Sequence, residues 1–120
     1  MAFTPSHVMN LLKSAKTFDK VLEKVKIISI GNGNCTAELK ISEEHSNVMG
    51  GLHGGLSATL VDMISTYGLF SHKYGEVPSV SVDLHTTFMK AARVGDIIEI
   101  DSKTVRVGKN LAFLEVLIKK

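Results

Sequence analysis

The sequence predicts an α+β domain, one antiparallel sheet with a long helix lying against it. Three observations carry that prediction. A glycine-led apolar stretch from Leu56 to His72 reads as a largely buried helix. Two short β-rich runs flank the turn signal GNGN at Gly31–Asn34, as in a hairpin. From Pro78 to Lys120 the chain is β-branched and near-alternating, the pattern of successive strands. Helical and strand segments segregate along the chain instead of alternating, which favours an antiparallel sheet over a parallel one.

Taken in order, the first element is an amphipathic helix. After Pro5 and Ser6, apolar residues fall at three and four spacings: Val8, Leu11, Leu12, Ala15, Phe18, Val21, Leu22 and Val25, with Ser6 the expected cap. VKIISI and CTAELKIS are the two hairpin strands, and the glycines between them supply positive φ. LSATLVDMISTYGLFSH places Leu56, Leu60, Val61, Ile64, Leu69 and Phe70 at helical spacing with small residues between. Three strands follow, PSVSVDLHTTFM, GDIIEIDSKTVRV and LAFLEVLIKK, the last two joined by a hairpin at VGKN. No repeat, linker or low-complexity segment divides residues 1–120, so a single domain is expected.

Composition narrows the function classes. The 14 basic and 12 acidic residues are interspersed and leave a net charge of +2, so no block marks a nucleic-acid tail and only a mild preference for anions follows. No apolar run approaches the length of a membrane span. Cys35 is the single cysteine and cannot form an intramolecular disulfide, and the N-terminus lacks a signal-peptide pattern. Both favour a reducing compartment. The opening segment carries lysines but no arginine, and Asp19 and Glu23 follow soon after, so the cytoplasm is the expected location and the mitochondrion the second candidate.

The chemistry concentrates in NVMGGLHGGLSATLVD, Asn47 to Asp62, where four glycines and His53 fall within Gly50–Gly55 immediately before the helix. Glycine lets backbone approach a ligand closely, and a helix start offers unpaired N–H donors and a partial positive charge. Such a turn suits a carbonyl oxygen that becomes an oxyanion. The plainer alternative is a tight loop that needs glycine only for its turns. Asp62 adds weight to the first reading, because a carboxylate among Leu60, Val61, Met63 and Ile64 is costly unless paired or used. It follows Gly54 by eight positions, about 12 Å along one helix at 1.5 Å per residue, so it does not reach the oxyanion site of its own chain. Two such helices running antiparallel about a twofold axis would bring each aspartate to the other chain's glycine turn, which predicts a dimer with two composite sites.

HSNVMGGLHGGLSATLVDMIS, then SVSVDLHTTFMKAARVGDIIEI, then GKNLAF resemble the PaaI-like hotdog-fold thioesterases over nearly the whole chain. The resemblance implies a sheet wrapped around a long central helix, with an extra helix at the N-terminus. It implies hydrolysis of fatty acyl-CoA to fatty acid and CoA by an intracellular homotetramer, a dimer of dimers acting in lipid metabolism without a cofactor. Carried over by motif, Asn47 and Gly54 polarise the thioester carbonyl, while Asp62 from the neighbouring subunit and Ser81 orient and activate water. His53 matches the histidine before the glycine pair, and with Gly55 it supports that turn.

The remaining candidates are poorly supplied. Thioester hydrolysis needs an N–H dipole at the carbonyl oxygen and a base for water, with no metal or serine triad. His45, His53, His72 and His85 have no metal-ligand spacing. Cys35, in a strand without a nearby histidine or asparagine signature, reads as a structural thiol. Ser81 alternates with Val80 and Val82 and takes the opposite sheet face. Lys90 and Arg93 are candidates for the CoA phosphates, against the usual solvated role of exposed basic residues. Family chains continue past the LAF strand into one more strand, set between it and the strand of Ser81, whereas this sequence stops at Lys120. The expected consequence is an unpaired edge on either side of the gap. That gap supports an alternative function, a non-catalytic hotdog module that binds acyl-CoA or a protein partner.

Overall fold

The computed structural model describes residues 4–75, 79–87 and 91–120. Helix α1 runs Pro5–Ser14. Its cap is Thr4 rather than Ser6: the Thr4 hydroxyl accepts the His7 N–H at 3.2 Å, and Pro5 fills a first-turn position that needs no donor. The expected single helix through Val25 breaks after Ser14. The Ser14 hydroxyl folds back onto the Asn10 and Leu11 carbonyls, Ala15 turns extended, and a short 3-10 turn follows at Phe18–Leu22. The break has a packing reason. Val8, Leu12, Leu22 and Val25 are buried, while Leu11, Phe18 and Val21 stay exposed, so the apolar stripe is shared between core and surface by turning the chain.

Strand β1 (Lys26–Gly31) and strand β2 (Asn34–Lys40) form the predicted hairpin. Its two-residue turn has positive φ at Asn32 and Gly33, so asparagine takes one of the left-handed positions and Gly31 neither. Gly33 also lies where a Cβ would meet His72 at 2.9 Å and Thr104 at 3.0 Å, so glycine is required there twice over. Helix α2 runs Gly54–Phe70 and lies across the sheet against β2 and strand β3 (Ile97–Val107). Strand β4 (Ala112–Lys119) completes the antiparallel order β1-β2-β3-β4. Its four-residue connection from β3 closes with the Gly108 N–H on the Leu111 carbonyl at 2.7 Å.

The core forms where the inward residues of β2 and β3, Cys35, Ala37, Leu39, Ile98 and Ile100, meet Leu60, Ile64 and Tyr67 of α2. Burying each large aliphatic side chain contributes about 1.5–3 kcal/mol. Cys35 is fully buried and its thiol is pushed up to about 12 by desolvation, which removes the thiolate and fits a structural role.

One predicted element is corrected. PSVSVDLHTTFM is not a strand in its described part: residues 79–87 pair with nothing in the sheet, while residues 78, 88 and 89 lie outside the described residues. Val80 and Val82 are largely exposed despite their strand-like alternation. A strand needs a neighbour to supply its ladder, and β4 is the last strand of the sheet among the described residues.

Candidate active site

The glycine loop is firmly built. Gly51 bridges to Arg93, the Leu52 N–H donates to the Ala92 carbonyl at 2.8 Å, and the Val94 N–H donates to the Gly50 carbonyl at 3.2 Å. Gly50 holds φ +82°, a conformation side chains rarely adopt. Asn47 closes the loop from within: its Oδ1 accepts the Met49 N–H at 2.9 Å and the Gly51 N–H at 3.2 Å. Those two donors fix the orientation of the amide and leave Nδ2 as the group Asn47 can offer a ligand. An N–H donor is what polarising a carbonyl requires.

At the end of the loop His53 caps α2, its Nδ1 accepting the Gly55 N–H at 2.9 Å. A Cβ at Gly55 would lie 2.9 Å from His53 Cε1, so the close ring is the reason for glycine at this position. The Gly54 N–H, first of the helix, has no acceptor among the described residues. The loop thus presents one backbone and one side-chain donor at the positive end of a 17-residue helix.

Asp62 lies two turns further along α2, half-buried, and its Oδ1 accepts the Ser81 hydroxyl. Residues 79–87 therefore reach this helix through Ser81 although they join no strand. Asp62 lines an open cleft of about 390 Å³ with Phe18, Ala58, Thr59, Met63 and Leu84. A neighbouring cleft of about 350 Å³ is lined by Phe18, Val21, Thr59, His53 and Gly55. Phe18 and Thr59 stand between the two.

Asp62 and Ser81 come together in one chain, and Asn47, His53, Gly54 and Gly55 belong to one loop and helix start. The helix holds these two groups apart, eight residues or about 12 Å, so one chain does not unite them. Arg93 is engaged with the loop: its Nη2 donates to the Met49 carbonyl at 3.0 Å and its backbone N–H to Asp96 Oδ2 at 2.9 Å. Lys90 lies outside the described residues.

Two contributors escape sequence reasoning. Phe18 counts toward a helical apolar stripe, yet it is 68% exposed and faces both clefts. His45 is only 2% exposed, with the Ser42 N–H donating to its Nδ1 at 3.0 Å and its carbonyl accepting the His53 N–H at 2.9 Å. Its signal was the spacing Ser42-x-x-His45, a capping box with histidine in the place of glutamate or glutamine.

The geometry belongs to a known class of proteins. The family profile of the thioesterase superfamily matches residues 49–120, the span from the glycine loop through β4. The chain is 43% identical over 109 residues to acyl-coenzyme A thioesterase 13 of Homo sapiens, covering 91% of this chain and 77% of that one. The crystal structure of zebra fish thioesterase superfamily member 2 superposes with a TM-score of 0.90 at 39% identity, over 98% of this chain and 86% of that one. The Mus musculus thioesterase superfamily member 2 structure gives 0.85 at 40% identity, over 96% and 84%. With a sheet laid along a long central helix and a glycine turn at that helix's start, the chain belongs to the thioesterase superfamily and has its hotdog fold.

Proposed function

We propose that this chain hydrolyses fatty acyl-CoA thioesters to free fatty acid and CoA. The observation that carries the reading is the pairing of Asp62 with Ser81 on a helix whose glycine-led start offers donors for a carbonyl oxygen. The kinship with acyl-coenzyme A thioesterase 13 supports the choice of thioester. In this mechanism the Gly54 N–H and Asn47 Nδ2 hold the carbonyl oxygen and stabilise the negative charge it gains. Asp62 takes a proton from water, Ser81 positions the carboxylate and the water, and the water oxygen attacks the carbonyl carbon. Collapse of the intermediate breaks the C–S bond, and the proton held by Asp62 passes to the departing CoA sulfur. His53 and Gly55 keep the turn in shape.

Because Asp62 stands about 12 Å from the start of its own helix, each site takes Asp62 and Ser81 from one subunit and Asn47 and Gly54 from its mate. The assembly proposed is a homotetramer, a dimer of such dimers. Arg93, with Lys90, is the proposed contact for CoA phosphates, since its guanidinium keeps donors beyond the one given to Met49. The proposed setting is lipid metabolism in the cytoplasm, with the mitochondrion second; the buried thiol of Cys35 is compatible with either.

A specific observation favours the second reading, a non-catalytic module that binds acyl-CoA or a protein partner: Ser81 lies on an exposed segment outside the sheet. Free-thiol release from medium- and long-chain acyl-CoA separates the two. Turnover by the parent and its loss in Asp62→Asn support hydrolysis, whereas acyl-CoA binding without thiol release supports the module.

A further inference from the structure

His45 links the two ends of the glycine loop. Its ring Nδ1 accepts the Ser42 N–H at 3.0 Å, and Ser42 Oγ lies 3.3 Å from the same nitrogen. Its own carbonyl accepts the His53 N–H at 2.9 Å. Ser46, the next residue, bridges to Leu52 across the loop. One residue thus ties the chain entering the loop, just before Asn47, to the residue that leaves it and caps α2. The ring is fully buried.

From this arrangement we infer that His45 is a positioning residue: its neutral ring, accepting the Ser42 N–H, holds the Asn47 and Gly54 donors at the spacing the carbonyl oxygen requires. The chemistry of the ring matters as well as its volume. Accepting at Nδ1 demands an unprotonated nitrogen there, with the ring proton on Nε2. A protonated ring offers no acceptor to Ser42 and places a cation in a buried site. Burial is the main influence and lowers the ring's proton affinity; Glu44, in its own turn, opposes it, and Lys24, from the chain before β1, assists. Lys24 and Glu44 are themselves paired at 2.5 Å, so their fields on the ring partly cancel. The neutral form is therefore the working one, and acidification should loosen the loop.

The inference rests on the thioesterase reading for its activity arm only; a second arm reads the loop directly. His45→Asn keeps an acceptor, Oδ1, where Nδ1 stands, while His45→Phe fills the ring's space without one. In acyl-CoA hydrolysis at pH 7.5, kcat of His45→Phe should fall about tenfold or more with KM within about twofold. That split is expected because a positioning loss acts on the transition state, and His45→Asn, which keeps the acceptor, should stay within about threefold of the parent in both. In hydrogen exchange, the Ser42 and His53 amides of the parent should lose protection as pH falls below the ordinary imidazole value of 6.5, after correction for intrinsic exchange. In His45→Asn that protection should be independent of pH. Parent-like kcat in His45→Phe, or equal loss in both variants, would overturn the inference. Should the parent hydrolyse no thioester, or His45→Phe not fold, the exchange comparison of parent and His45→Asn decides alone: identical pH profiles would overturn it, and a flat profile in the variant would sustain it.

Discussion

Asp62 carries the largest single consequence at the scale of residues. Replacing it with asparagine keeps the shape and the Ser81 contact but removes the proposed base, so turnover should fall by about 100-fold or more, the order of a general-base contribution. Thiol-release kinetics check this, and a kcat within a few-fold of the parent would make Asp62 structural. Gly55→Ala tests the turn. Alanine favours helix by about 0.8–1.0 kcal/mol in a helix interior, an advantage that shrinks in the first turn. Against it stands the cap, worth about 0.5–2 kcal/mol, because the new Cβ would lie 2.9 Å from the His53 ring and displace it. The expected result is a melting temperature unchanged or lower, with reduced kcat. A variant more stable and equally active would show that the ring's closeness is incidental. His45 also sets a pH dependence of stability. Its folded proton affinity is lowered, so the unfolded chain binds the proton more readily and stability is lost as pH falls through 6.5 toward the lower folded value. Denaturation midpoints between pH 8 and pH 5 should show this loss, and His45→Asn should lack it.

Elements differ in how far their sequences specify them. The β1–β2 hairpin was legible because Asn32-Gly33 determines its turn locally, and α2 because its apolar spacing and its glycine start coincide. The helix at the N-terminus was only half legible. The stripe from Val8 to Val25 has helical spacing, but Ser14 bonds its own helix carbonyls and the tertiary core takes Leu22 while leaving Phe18 outside. Residues 79–87 show the opposite failure, since their alternation is real and what they lack among the described residues is a strand neighbour, a property no local pattern records. Of the candidate site, the motif from Asn47 to Asp62 was legible because it is contiguous in the sequence, and the structure brings Asp62 to Ser81 and closes one loop on Asn47 and His53. His45 and the outward Phe18 were not, because each depends on what the chain packs over it.

For the whole molecule, the decisive feature is the separation along α2 between its glycine start and Asp62. The donors at Asn47 and Gly54 and the carboxylate at Asp62 are each well supported, yet the helix that supports them also separates them. In the proposed dimer, a twofold pairing of helices would resolve this by lending each subunit's aspartate to the other's loop. The most direct measurement is thiol release from a long-chain acyl-CoA by Asp62→Asn and Asn47→Ala subunits, assayed separately and after exchange. Each variant alone has the same defect in both sites and should be nearly inactive. Random exchange makes half of the dimers mixed, each with one intact site of two, so the mixture should recover up to about a quarter of the parent's activity. A mixture no more active than the sum of its parts, with subunit exchange shown independently, would contradict the shared site.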